Sequence, residues 1–566
     1  MAVAQPSALN VQLEAPAAIR ELLEQHVRLL NNSNRMLPEA DADRSALARR
    51  SRREIRNLLA TEGYFSPTIR LNRDKEQGRE QVWRIVIEPG PRTEIGTVSI
   101  QFEGELNDGS PENSQRIETL RKGWRLPSGQ AFRQTEWDTA KQALLNDVSS
   151  HRYATARILQ SQATIDPETT TARLSITIDS GPSFFLGPLQ VEGLQDLPSD
   201  FVERFNTLKP GEPFDRDALL AFQRALQNTP QLASVVVDIE RDVAQAAAAP
   251  VRVNVVEAMP KRTTLGTGFS TNTGYRVEAR YQDVNLFGQG LELDSAIRLE
   301  QRRQLAYADI FLLPSPKGHR DSVGIQLDRS NLEGLRIETE TLGVSRAALR
   351  GNIKTVWTAR VQHETLRPDG VHSSEDSTIA LNWTWIRFAV DQVMDPRSGH
   401  VLEFQAGGGT NLSLERRDFF RLYSRYMHYL PLSERDNLIL RIEGGTTFAE
   451  SRDYVPQDFL FRTGGTQTIR GYAYQSLGVS EGSATVGGRY LAIASAEYVR
   501  WLTPQWGVAF FTDTGDAADS PESFRLHTGY GSGVRWRSPL GPLAADLAWG
   551  HQDQRLRLHL GIAIAF

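Results

Sequence analysis

Two hydrophobic periodicities divide the chain. Up to about residue 257, apolar positions at helical spacing alternate with short strand-like runs. Ile19, Leu22, Leu23, Val27 and Leu30 share one face, and Leu47, Ile55, Leu58 and Leu59 share a second, the recurrence of amphipathic helices. GYFSPTIRLNR and QVWRIVIEP follow, rich in the β-branched and aromatic residues that favour strands. The pattern then repeats. PGPRTEIGTVSIQFEG (89–104) is echoed by SGPSFFLGPLQVEG (180–193), so that Phe102-Glu103-Gly104 returns as Val191-Glu192-Gly193. Gly129-Gln130-Ala131-Phe132 returns as Gly211-Glu212-Pro213-Phe214, each ahead of a helical run. Short strands close the copies: YFSPTIRL, YATARILQ, LASVVVDI and finally APVRVNVVEAMP. The reading is three α+β modules of order βααββ, over 1–90, 91–181 and 182–257.

Beyond residue 258 the helical period vanishes. Segments of roughly ten residues alternate in polarity between Gly, Pro, Asp and Asn turns, the mark of a transmembrane barrel strand. In LELDSAIRLE, Leu291, Leu293, Ile297 and Leu299 oppose Glu292, Asp294, Arg298 and Glu300; in NLILRIEG, Leu438, Leu440 and Ile442 oppose Arg441 and Glu443. A charged face opposite an apolar one fits a wet lumen inside and lipid outside, although a water-soluble sandwich offers the same alternation. The last strand, QRLRLHLGIAIAF, is the most regular: Leu556, Leu558, Leu560, Ile562, Ile564 and Phe566 share a face, and Arg555, Arg557, His559 and Gly561 share the other. So regular an edge invites aggregation in water, whereas a closed barrel pairs it with the first strand. Residues 258–566 accommodate about 16 antiparallel strands, an even number as expected of a bacterial barrel.

Composition sharpens this picture by exclusion. Hydrophobic content is 40% with a mean hydropathy of −0.40, and no run approaches the ~20 apolar residues of a membrane helix. The 64 Lys and Arg against 69 Asp and Glu give a net charge of −5, without the basic stripe of a nucleic-acid binder. There are no cysteines, hence neither disulfides nor thiolate metal sites. MAVAQPSALN has no basic and apolar export signal, as expected of a mature exported sequence with a start Met added. No P-loop, H-E-x-x-H or nucleophile elbow is present; GYGSGV (529–534) misplaces its serine for that elbow. The expectation is a non-enzymatic protein without cofactor or metal. No nucleotide site is present to supply a driving force.

FLFRTGGTQTIRGYAYQSLG (459–478) is too long and too Gly-rich for a hairpin turn, and it carries Ile469-Arg470-Gly471-Tyr472. It resembles the inward-folded sixth extracellular loop of the BamA/TamA superfamily, with its (V/I)-R-G-(Y/F) signature. Further family-like pieces follow the loop or precede it in the right order: DQVMDPRSGHVLEF (391–404), GGRYLAIASAEYVRWLTP (487–504) with a lumen-facing Glu497, FFTDTGD (510–516) with Asp513, and GSGVRWRSPLGPLAADLA (531–548). His559, Gly561, Ile564 and Phe566 fit the family's C-terminal signal, and the three amino-terminal repeats match POTRA modules. The resemblance thus spans the whole chain. It implies that Arg470 pins the loop to the barrel wall through Glu497 or Asp513. The residues leave open which acid is the main partner, and whether Arg470 is instead only solvated. Alternation puts Asp513 on the lumenal face with Gly507, Ala509 and Phe511.

The resemblance also implies an outer-membrane assembly factor or translocon, with its modules in the periplasm. Three modules on such a barrel look most like the TamA branch. That branch implies a TamB-like inner-membrane-anchored partner and unfolded outer-membrane or autotransporter clients, in contact with outer-membrane lipids. A BamA-like insertase, a two-partner secretion transporter with the 17–31 helix as plug, and a passive channel remain alternatives. The first strand, near TTLGTGFSTN (263–272), contains Leu265, Gly266 and Gly268 and few large apolar residues, so it is expected to pair weakly. Gly561 is expected to let the last strand kink. The join of the two is then a lateral gate for client strands, and Leu265 is expected to lie near Leu560 across it.

Overall fold

The computed structural model describes residues 10–31, 40–75, 81–315, 318–412, 416–539 and 541–565. Its amino-terminal part contains three separate three-stranded sheets. In the first, Gln81–Glu88 is the middle strand, parallel to Asn10–Glu14 and antiparallel to Thr68–Lys75. Asn10–Glu14 has no counterpart in the sequence reading: five residues carry too little period to announce a strand. Trp83, Ile85 and Ile87 point from the middle strand into a core with Ile19, Leu23, Val27, Ile55 and Leu59. The helix expected over Ile19–Leu30 is two, Ala17–His26 and Arg28–Asn31. Val27 is extended (φ −85°, ψ 118°), and the break shifts the phase so that Leu29 rather than Leu30 is buried.

The second module repeats the plan. Thr171–Asp179 lies between parallel Glu94–Glu103 and antiparallel Arg157–Asp166. Leu174, Ile176 and Ile178 pack on Trp137, Leu144 and Val148 of the helix Gln134–Ser149. The third sheet has the same order, with Ala249–Glu257 between Leu186–Glu192 and Leu232–Ile239. It corrects the βααββ reading in one respect. The first helix is reduced to a 3-10 turn, Glu203–Phe205, and only Arg216–Gln227 is a full helix. Asn206 and Thr207 are weak helix formers, and Pro210 biases Lys209 away from the α region. The chain accordingly becomes extended at Asn206 (φ −70°, ψ 118°), while Phe201, Val202 and Phe205 still reach the interior.

From Lys261 onward, 16 antiparallel strands form a closed barrel in which each strand pairs with its sequence neighbours and the last returns to the first. This excludes the sandwich. The pleat sends alternate residues outward: Ile297, Leu299, Ile325, Leu327, Leu342, Val344, Ile442, Phe510, Leu556 and Leu558 are all exposed. Each such side chain left in water forgoes about 1.5–3 kcal/mol of burial, so this exterior is built for hydrocarbon. The inward residues meet each other as ions, as in Arg280 with Asp294 (2.8 Å), Arg298 with Glu278 (3.0 Å) and Arg425 with Glu403 (2.6 Å). Among the described residues no helix is long and apolar enough to cross a membrane; the barrel crosses with strands.

Among the described residues the closing seam is the shortest stretch of this ladder, five registered pairs against six between the last strand and its other neighbour. Among the described residues the first strand, Lys261–Ser270, is in register with the last, Arg555–Ala565, over Gly266–Ser270, from Gly266 opposite Ala565 to Ser270 opposite Gly561. Leu335–Arg350 and Ile353–Pro368, by contrast, pair along their whole length. Leu265 does not face Leu560. Leu560 lies opposite Thr271, whose N–H donates to its carbonyl at 2.9 Å. The expected Leu265–Leu560 proximity is wrong by six residues, because the register of a closing pair is set by stagger accumulated round the whole barrel.

Candidate functional site

Between the strands Asp436–Ala449 and Tyr490–Trp501 the chain runs through a long segment that folds back against the inner wall. Ile469 and Tyr472 are fully buried, in a cluster with Phe461, Leu477, Leu491, Ile493 and Ala517. These apolar contacts hold the segment and aim Arg470 between them. Its guanidinium is 8% exposed and Asp513 is 0% exposed, so their charges are largely desolvated.

The planar fork of arginine suits several carboxylates at once. Arg470 Nε and Nη2 donate to the two oxygens of Asp513 at 2.7 and 3.0 Å, and the Arg470 backbone N–H donates to Asp513 Oδ2 at 3.1 Å. Nη1 donates to Glu497 Oε2 at 2.6 Å and to Asp546 Oδ2 at 3.1 Å. Glu497 and Asp513 therefore both bind it, with Asp513 taking the bidentate contact. Phe511 lies under the guanidinium, 3.4 Å from ring centroid to Cζ, a cation–π contact. Ser495 Oγ donates to Asp513 Oδ1 at 2.6 Å, holding the carboxylate from its other side. A second cation completes the cluster: Arg535 Nη2 donates to Glu497 at 2.7 Å, and its Nη1 donates to Asp546 at 2.5 Å. Three carboxylates thus surround two guanidiniums. Asp546 and Arg535 escaped the sequence reading, although both stand in the quoted GSGVRWRSPLGPLAADLA segment.

The wall is hollowed to receive the loop backbone. Asp513, Gly529 and Gly550 lie in one cross-strand row. A Cβ on Gly529 would stand 1.7 Å from the Arg470 carbonyl oxygen, and one on Gly550 would stand 2.6 Å from that of Gly471. Gly471 itself has φ +95° and faces the Trp549 and Gly550 backbone, so the third position of the motif requires glycine both for its backbone and for its approach. Tyr472 OH donates to the Thr528 carbonyl at 3.1 Å and also bonds the Gln552 side chain. Gly529→Ala is expected to push the loop off the wall, at a cost near the ~1–3 kcal/mol of overpacking. Limited proteolysis of the folded barrel checks this by new cleavage within residues 450–489.

Residues 285–566, which carry this wall and loop, match the Omp85 superfamily domain. The barrel belongs to the Omp85 superfamily. The chain is 23% identical over 482 residues to the outer membrane protein assembly factor BamA of Nitratidesulfovibrio vulgaris, covering 81% of this chain and 59% of that protein. It is 22% identical to the BamA of Neisseria meningitidis serogroup B, covering 90% of this chain and 72% of that one. The chain thus spans about three fifths of the length of the first of these curated relatives. The crystal structure of BamA from Haemophilus ducreyi lacking POTRA domains 1–3 shares the fold, with a TM-score of 0.71 over 84% of this chain and 100% of that one at 14% identity. The barrel fold and these outer-membrane relatives indicate a bacterial outer-membrane barrel.

The remaining expected residues lie along the seam. Gly266 and Gly268 are in its paired stretch, opposite Ala565 and Ala563; Gly561 pairs with Ser270 and Ile564 with Thr267. Phe566 lies outside the described residues. His559, expected as part of the C-terminal signal, also touches the loop: the Gly471 N–H donates to its Nε2 at 2.8 Å.

Proposed function

We propose that this chain is a non-enzymatic outer-membrane protein assembly factor, which admits client strands through the seam between its first and last barrel strands. The observation that supports this reading is the seam itself: among the described residues it is registered over five positions, beside six on the other side of the last strand, whereas pairings such as Leu335–Arg350 with Ile353–Pro368 run along whole strands. In lipid an unpaired backbone edge is costly, so a short seam opens at least cost and is resealed by an incoming strand pairing with the exposed edge. The curated relatives named outer membrane protein assembly factors are consistent with this use of the fold.

Within that reading, the three modules are POTRA modules in the periplasm. They present edge strands such as Arg157–Asp166 to extended segments of clients or partners. The finer assignment is the TamA branch, with a TamB-like inner-membrane-anchored partner and autotransporter-like clients.

Reconstitution tests the function. The full chain in liposomes is expected to raise the yield of membrane-inserted, protease-protected barrel from a urea-denatured autotransporter-like client about tenfold over empty liposomes, equivalent to about 1.4 kcal/mol of barrier. An unchanged yield with ion flux through the barrel would leave a passive channel in its place.

A further inference from the structure

The inner loop touches both sides of the seam within six residues. On the first-strand side, Asn272 in the turn after Lys261–Ser270 donates from Nδ2 to Thr466 Oγ1 at 2.9 Å. Its Oδ1 accepts from the Thr466 N–H at 3.5 Å. On the last-strand side, Gly471 is held at both of its backbone groups. Its N–H donates to His559 Nε2 at 2.8 Å, and its carbonyl accepts from Arg557 Nη1 at 2.7 Å. Arg557 is itself fixed by Asp553 at 3.0 Å. The two edges also meet directly just there: Thr271 N–H donates to the Leu560 carbonyl at 2.9 Å, and Leu560 N–H donates to Thr271 Oγ1 at 3.1 Å.

The piece between these anchors is not slack. Gly464 N–H donates to Thr468 Oγ1 at 3.0 Å, and Gly465 N–H donates to the Ile469 carbonyl at 3.2 Å, closing a turn. Arg441 donates to the Gln467 and Thr468 carbonyls from the neighbouring wall. A segment braced in this way cannot stretch when the edges part, so one end must let go.

The two ends differ in strength. The first-strand end is a pair of neutral hydrogen bonds, one of them at the limit of bonding distance. The last-strand end includes a charge-assisted bond, roughly twice as strong as a neutral one, and it continues into the Arg470 cluster. We propose that Thr466–Gly471 is a strap across the seam which releases at Asn272–Thr466, so that the first strand peels away while the loop and last strand move as one body. Asn272, Thr466, His559 and Arg557 are then positioning residues of the gate, a role that rests on the lateral-gate reading above.

Hydrogen exchange on the purified full chain without client reads this directly, because exchange of a paired amide follows the population in which it is open. In Asn272→Ala and in Thr466→Val, the amides of Gly266–Ser270 are expected to exchange about fivefold faster, the scale of one or two lost hydrogen bonds. Amides pairing Gly541–Gly550 with the last strand should be unchanged. The double variant should exchange no faster than either single one, the non-additivity of residues acting through one contact; a merely structural effect on the hairpin turn would add. Unchanged seam exchange in both single variants, or equal acceleration in the Gly541–Gly550 ladder, would overturn the strap. Client insertion is measured separately. Faster seam exchange with unaltered insertion leaves the strap standing and removes the seam as the route of the client.

Discussion

In an Arg470→Met variant the inner loop is expected to leave the wall and client insertion to fall at least about tenfold, while the barrel stays folded. Methionine fills most of the volume but supplies no donors, so Asp513, Glu497 and Asp546 are left with Arg535 alone among the cations of the cluster. Removing one partner of a buried ion pair costs about 3–5 kcal/mol, and less where a lumen admits water. Even half of that shifts a docked loop toward release by more than tenfold, since about 1.4 kcal/mol is a factor of ten. The strands do not depend on the loop for their ladder, so folding, read by heat-modifiable migration on a gel, should be retained. Asp513→Asn keeps shape and an acceptor oxygen and should be milder. Insertion at the level of the unaltered chain, with the loop still protected from protease, would show that the cluster does not control activity.

The second large effect concerns the seam. A Thr267→Cys, Ile564→Cys pair places two thiols on directly registered residues, and its oxidised form should block client insertion completely. Among the described residues the seam is registered over five positions, each hydrogen bond worth a net ~0.5–1.5 kcal/mol, a barrier that in the proposed gate client strands exchange for their own pairing. A covalent bridge has no such exchange. Reduction should restore activity, which separates a trapped gate from a misfolded one. Gly268→Cys with Ala563→Cys tests the alternate phase of the ladder. Leu547→Cys with Leu558→Cys, bridging the last strand to its other neighbour, should stay active when oxidised. Full insertion through an oxidised seam would remove the gate.

Both effects meet at Gly471, whose backbone groups bond the last strand while its neighbour Arg470 bonds the wall. The loop thus contacts both the wall and the last strand, and variants in either should be read for both.

Which of these features were legible beforehand follows a physical rule. Facing was legible. Leu556 and Leu558 point out and His559 points in because a strand sends successive side chains to opposite faces, whatever the rest of the chain does. The Arg470 motif and its two acids were legible through resemblance, since they recur as short local strings. Asp546 was not: it is a lone acid in PLAADLA, and nothing local says that it meets a guanidinium 76 residues away. Val27, which looks like one more helical position, breaks its helix. Glu203–Phe205, which repeats the place of a helix, makes one turn.

The amino-acid order alone therefore determined the 16-strand architecture, its lipid and lumen faces and the candidacy of Arg470, because period, turn residues and motif spacing are properties of neighbouring positions. Partnership was decided only in three dimensions. Which acids close on Arg470, why Gly529 and Gly550 must be bare, and that Thr271 rather than Leu265 lies opposite Leu560 all depend on stagger summed over the closed cylinder, a quantity no single segment contains.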